Sequence, residues 1–352
     1  MKSTYVISLA AAALVLSACS SSDSTSPAPE ATTPQATESV EESATETATE
    51  VSAITVLATT SVIGDVTRQI VDCGGGTVDV LMPIGTDAHD FSASSAQVAA
   101  MVNSDLVVAV GLGLEAGLTD SFENAASDGA RIFELAPQLD PIEFGAGGHS
   151  DEEGHSDEEA HSDEEGHSDE EGHAHGSLDP HFWFDMNRMA TAAELIGAEL
   201  TTITGDAAYT TCADTTASEL RAAEGEVRAL LESVPADQRI LVTDHDALGY
   251  LADTYGYEVA GTVIPSGSTL AEPSSADLAK LVATIKAEGI TTIFANVAQP
   301  SALAEAVAAE TGTDVQVVPL YVESLGASDS PAATYIDMMR TNATLISTGL
   351  QG

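Results

Sequence analysis

The chain has 352 residues, 43% of them apolar, enough for two lobes of ordinary size with cores of their own. Asp and Glu outnumber Lys and Arg 56 to 10, giving a net charge of −46. So acidic a chain excludes binding to nucleic acid, which needs clustered cations against phosphate. The excess is uneven: twelve of the acids lie between Asp151 and Glu171, and others lie in an N-terminal stretch rich in Ser, Thr and Glu.

In chain order, Lys2 gives a positive start and residues 5–16 form an apolar run too short to span a bilayer as a helix. That is the shape of an export signal. Leu16-Ser17-Ala18-Cys19 then resembles the bacterial lipobox. The resemblance implies a signal peptide over residues 1–18, lipidation of Cys19, and a mature protein anchored at the outer face of the cytoplasmic membrane. Residues 19–52 continue with Ser, Thr, Pro, Ala and Glu and no aromatic side chain. They cannot bury enough surface to offset the entropy of ordering, so a disordered tether is expected. Cys73 and Cys212 remain. In an exported protein they can pair as a disulfide, or they can be two separate thiols, one in each lobe.

From residue 54, apolar runs rich in β-formers predict strands at 54–58, 78–82, 106–110 and 131–135, with helices at 62–71 and 94–101. The alternation stops near Phe144 and resumes after Pro180. Residues 186–200 and 212–231 carry helical spacing. Predicted strands at 240–243, 257–263, 291–294 and 315–320 then alternate with predicted helices at 248–255, 276–288, 302–311 and 334–347. Short buried strands separated by helices imply parallel sheets covered on both faces. The expected class is therefore α/β, with an N-terminal lobe over 53–205, a linker helix within 206–232 and a C-terminal lobe over 233–352. Ligands of such sheets sit at the carboxyl ends of the strands, which here means the cleft between lobes.

The nine histidines divide into two groups. His149, His155, His161, His167 and His173 recur every six residues among acids, with His175 close behind. This segment, 147–177, is expected to be disordered. Its side chains can collect metal ions and raise the local cation concentration, or the repeat only solvates the surface. The other three, His89, His181 and His245, fall in or beside loops expected at strand ends. Imidazole is the commonest protein ligand for zinc, and three of them supply three corners of a tetrahedron, with a carboxylate or water as the fourth. Singly, each reads as an ordinary polar loop residue; three at equivalent places favour a metal. Asp90, Asp179, Asp244 and Asp246 lie beside them and are expected to take the second ring N–H, fixing the imidazoles, or else to be caps and turn formers. Phe182 and Trp183 fit either a dry wall around the metal or the core.

Three segments now carry a resemblance: Gly85-Thr86-Asp87-Ala88-His89-Asp90-Phe91, Asp179-Pro180-His181-Phe182-Trp183-Phe184 and Thr243-Asp244-His245-Asp246-Ala247-Leu248-Gly249-Tyr250. They look like the metal-ligand segments of the metal-binding component of zinc and manganese ABC importers. Gly111-Leu112-Gly113-Leu114-Glu115, Glu272-Pro273-Ser274 and Tyr335-Ile336-Asp337-Met338-Met339 also fit that pattern. The resemblance runs from about residue 54 to the C-terminus. It implies two similar lobes joined by one long rigid helix, with the metal between them, held by His89, His181, His245 and a carboxylate. The family's fourth ligand is usually Asp; here the matching segment is Tyr321-Val322-Glu323-Ser324-Leu325. Glu323, one methylene longer, ligates directly, ligates through water or stands off. Asn296 departs as well, since many relatives carry Glu there.

The implied function is capture of Zn2+ outside the cytoplasm and delivery to the membrane permease of an ABC importer, by a monomer and without catalysis. His245 stands where manganese-selective relatives often carry Glu, and three nitrogens with one oxygen suit zinc better than manganese. Manganese or iron transport is the near alternative. A zinc hydrolase and a surface adhesin with an incidental metal are more distant ones; no His-Glu-x-x-His segment is present for the former.

Overall fold

The structure, a computed structural model, describes residues 53–145 and 178–352. The expected signal peptide, Cys19 with its tether, and the segment carrying the six clustered histidines lie outside the described residues.

The first lobe contains β1 (Ile54–Ala58), α1 (Ser61–Gly74), β2 (Gly76–Val80), α2 (Ser95–Asn103), β3 (Leu106–Ala109), α3 (Thr119–Ser127) and β4 (Ile132–Glu134). Its sheet has the order β2-β1-β3-β4 with every pairing parallel. Two helices follow, α4 (Met186–Thr204) and α5 (Ala208–Glu232). The second lobe contains β5 (Ile240–Thr243), α6 (Gly249–Tyr255), β6 (Glu258–Thr262), α7 (Ser275–Glu288), β7 (Thr292–Asn296), α8 (Ala302–Thr311), β8 (Gln316–Leu320) and α9 (Tyr335–Gln351). Its order, β6-β5-β7-β8, repeats the first and is again parallel. The lobes are therefore similar, as expected. Every residue of β3 and of β7 is buried, the signature of strands covered on both faces.

The helix α5 has 25 residues, roughly 37 Å of helix. It packs against α1 and α4 on one side and against α9 of the second lobe on the other, which makes it the expected linker. Gly197 permits the close approach of α4 to α5: a Cβ there would collide with Ala213 and the Tyr209 carbonyl. Cys73 at the end of α1 is bonded to Cys212 in α5, with Cα atoms 5.9 Å apart, so of the two arrangements left open the structure has the disulfide. One buried cluster runs continuously from Val56, Ile63 and Val107 through Ile196 and Leu220 to Tyr250, Tyr335 and Ile346. Full burial of such side chains contributes about 1.5–3 kcal/mol each. A smaller cluster, including Val242, Ile285, Ile293 and Val307, lies under α7 and α8.

Two local differences from the expected elements stand out. The helix α3 is absent from the expected elements, because its nine residues TDSFENAAS offer only half-buried Phe122 and buried Ala125 as an apolar face, too short to show a period. Strand β2 spans Gly76–Val80, two residues ahead of the expected 78–82, and begins on the last residue of the run Gly74-Gly75-Gly76. The two described stretches meet beside one another: Glu143 and Leu178 form an antiparallel bridge, and Asp179 N–H donates to the Ile142 carbonyl at 2.8 Å.

Candidate metal centre

Four chain segments end at one point between the lobes. His89 lies in the loop that follows β2, and His181 lies ahead of α4; both belong to the first lobe. His245 follows β5 and Glu323 follows β8, so these come from the carboxyl ends of the second sheet. All four are buried, at 1%, 0%, 0% and 2% exposure in that order, although all are polar loop residues that solvent would ordinarily claim.

The three imidazoles face one another at similar distances. Ring centroids are 5.6 Å apart for His89 and His181, 5.8 Å for His89 and His245, and 5.5 Å for His181 and His245. Glu323 Oε1 approaches His245 Nε2 at 3.0 Å and His89 Nε2 at 3.3 Å. One ligand atom from each residue lies within 4.8 Å of all the others. Ligands about 2.0–2.1 Å from a tetrahedral zinc are roughly 3.3 Å from one another, which is the scale of this cluster. The Nε2 atoms of all three histidines and Oε1 of Glu323 are buried without a hydrogen-bond partner. Buried polar atoms are normally satisfied, and four unsatisfied ones aimed at a common point fit a single cation. Three nitrogens and one oxygen then form the donor set.

The sequence also sets the orientation of two of the rings. Asp179 Oδ1 accepts from the His181 backbone N–H at 2.8 Å and faces His181 Nδ1 at 2.7 Å. Asp244 Oδ1 accepts from the His245 backbone N–H at 2.9 Å and faces His245 Nδ1 at 3.0 Å. Each carboxylate places the proton on Nδ1 and leaves the Nε2 lone pair free for a metal. Asp244 is itself held by the Asn296 backbone N–H, which donates to Oδ2 at 2.6 Å. Asn296 thus braces Asp244 through its main chain. Asp179 is held through its carbonyl, which accepts from the Tyr250 hydroxyl at 3.0 Å. Phe182 and Trp183 are both buried, and the indole meets His181 edge-on at 5.2 Å. Trp183 Nε1 donates to the Val322 carbonyl at 2.8 Å, and the Tyr335 hydroxyl donates to the Trp183 carbonyl at 2.6 Å.

The other two expected braces do not take that role. Asp90 is exposed, and Nδ1 of His89 has no hydrogen-bond partner. The residue that serves the His89 loop is Asp87, whose Oδ1 accepts from the His89 backbone N–H at 2.8 Å. Asp246 is half-buried and makes no bond to a histidine; its carboxylate accepts from the Gly145 N–H and its own N–H donates to the Ser266 carbonyl. Burial and the nearby charge of Asp179 push its carboxyl up to about 6. A signal for Asp87 was available: Asp87-Ala88-His89 and Asp179-Pro180-His181 share the same Asp-x-His spacing. Thr269 and Gln299, which bond to Asp87 from the second lobe, carried no such signal.

The electrostatics of the cluster are divided. Burial alone raises the Glu323 carboxyl, but the close approach of His245 and His89 outweighs it and holds Glu323 well below the usual carboxylate range. Burial alone lowers His245, but Asp244 and Glu323 outweigh it and raise that imidazole well above its ordinary value. At His181 burial wins over Asp179, and the imidazole is lowered.

Residues 56–349 match the family model described as the periplasmic component A of the zinc-uptake complex. Among curated relatives, the manganese-binding lipoprotein MntA of Halalkalibacterium halodurans is 24% identical over 301 residues, covering 84% of this chain and 88% of its own. The zinc-binding protein TroA of Treponema pallidum is 28% identical over 294 residues, covering 82% of this chain and 85% of its own. The solved structure of periplasmic zinc-binding TroA from Treponema pallidum superposes with a TM-score of 0.71 at 25% identity, over 85% of this chain and 99% of that one.

Proposed function

The chain belongs to the family of the periplasmic component A of zinc-uptake complexes, and from that membership we propose that it captures one zinc ion outside the cytoplasm and delivers it to an ABC-importer permease. It is a metal-binding component of such importers and not an enzyme. The observation that carries the choice of site is the convergence of four buried, unpartnered ligand atoms from His89, His181, His245 and Glu323. Three imidazole nitrogens with one carboxylate oxygen favour zinc, a borderline metal content with four ligands. Manganese is the second reading. It prefers oxygen, and the carboxylate of Glu323 and the name of the Halalkalibacterium relative speak for it.

In this proposal Cys19 is lipidated, residues 19–52 tether the protein as a monomer to the outer face of the membrane, and the histidines of 147–177 gather zinc for the central site. Titration of the metal-free protein tests the reading. One tight zinc site is expected, abolished in His89→Ala, His181→Ala and His245→Ala and retained when residues 148–176 are deleted. Tight manganese binding with weak zinc binding would sink the metal assignment.

A further inference from the structure

Residues 83–91, between β2 and α2, carry His89 but are held largely from across the cleft. The Gly85 N–H donates to Ser324 Oγ at 2.7 Å, and the Ala88 N–H donates to Glu323 Oε2 at 3.1 Å. The Asp87 carboxylate, 8% exposed, has its two oxygens on opposite lobes. Oδ1 accepts from the His89 N–H at 2.8 Å; Oδ2 accepts from Thr269 Oγ1 at 2.7 Å and from Gln299 Nε2. Thr269 lies in the loop after β6 and Gln299 in the loop after β7.

His89 differs from the other two histidines in how it is fixed. His181 and His245 each have a carboxylate of their own lobe on both the backbone N–H and ring Nδ1. His89 has a carboxylate on its backbone alone, and that carboxylate is shared with the other lobe.

We propose that Asp87 is a positioning residue that latches the His89 loop to the second lobe through Thr269 and Gln299, so that seating of His89 on the metal and closure of the loops at 264–274 and 297–301 are one event. When the lobes part at this edge, Asp87 loses two of its three donors and keeps only the His89 N–H, so the brace on His89 is no longer tied to the second lobe. The other two histidines keep braces that lie within their own lobes. Release of the ion then begins at His89, and the latch sets how long the ion stays rather than how fast it enters.

The inference rests on the zinc-binding reading. It is tested by loading zinc onto the full chain and mixing with an excess of a chelating indicator dye, which reads the dissociation rate. Mixing metal-free protein with zinc reads the association rate. Thr269 and Gln299 are half-buried at the cleft edge and outside the ligand set, so Thr269→Val and Gln299→Leu leave the four ligands in place. Each is expected to speed dissociation about tenfold, the loss of one hydrogen bond to a charged group. Association should stay within about twofold, since mutants of one site differ mainly in off-rate. Paired with Asp87→Asn, neither should add its full effect, because both act through the same carboxylate. Circular dichroism of the metal-free variants checks the fold, and Thr269→Val alone gives the same readout if Gln299→Leu does not fold. Dissociation at the wild-type rate, fully additive effects, or a loss confined to association would each overturn the latch. If the wild-type protein takes up no stoichiometric zinc, the parent reading fails and the latch with it; if it does and the variants release zinc normally, only the latch fails.

Discussion

At the scale of single residues, the centre is a set of charges balanced against burial. Zinc needs all three imidazoles neutral at Nε2. His245, raised by Asp244 and Glu323, holds a proton in the metal-free chain at and above the ordinary imidazole value of 6.5. Glu323, held low, is already ionised there. Binding at pH 7 is therefore expected to expel a proton from His245. Affinity should climb as pH rises through the raised range of His245 and weaken as pH falls. Calorimetric titration in buffers of different ionisation enthalpy measures this directly; identical heats in every buffer would rule it out. Much of this centre is legible in the sequence. His89 and His245 stand in loops that follow strands, as expected, while His181 stands ahead of α4 and follows no strand; Asp179 and Asp244 stand beside theirs. Side-chain direction is not legible. Asp90 is as near to His89 in sequence as Asp244 is to His245, yet it points to water, and Asp87 takes up the loop instead.

At the scale of elements, α5 is the beam on which both lobes are mounted, and the disulfide pins it to α1. The bridge closes 139 residues of chain, and removing a cross-link of that reach costs about 3–5 kcal/mol. The double variant Cys73→Ala/Cys212→Ala should lose that much in urea unfolding while still binding one metal ion. An unchanged midpoint would show that the bond does not constrain the unfolded chain. The helix and strands around it were readable where burial leaves a period. Residues 54–58 and 240–243 coincide with β1 and β5 because strands of a covered parallel sheet are near-continuous apolar runs, interrupted in β1 by the exposed Thr55. The helix α3 was unreadable because it lies on the surface with one buried residue. The pairing of Cys73 with Cys212 was open because spacing along the chain says nothing of distance across it.

At the scale of the whole molecule, a net charge of −46 acts against the compact state. Its repulsion reaches about 10 Å at 0.1 M salt and about 3 Å at 1 M. The melting temperature of the metal-free protein is expected to rise between 0.05 M and 1 M sodium chloride, and thermal melts across that range check it. A fall would mean that attractive ion pairs, such as Arg340 with Glu226 or Arg221 with Glu194, outweigh the repulsion. The two-lobe plan was legible from the repeated strand–helix alternation on either side of residues 145–180. That both sheets wind in the same order, and that one core runs unbroken through α4 and α5 into the second lobe, follow from contacts between segments far apart in sequence.

The chain contains a single tryptophan, Trp183. Its ring rests against His181 on one lobe while its N–H is spent on the carbonyl of Val322, next to Glu323 on the other. All indole emission therefore arises at the junction, with no background from elsewhere in the molecule. Protonation or metallation of the neighbouring imidazole and any parting of the Val322 bond alter the same chromophore. The protein carries an optical gauge of its own loading and closure, readable without a label.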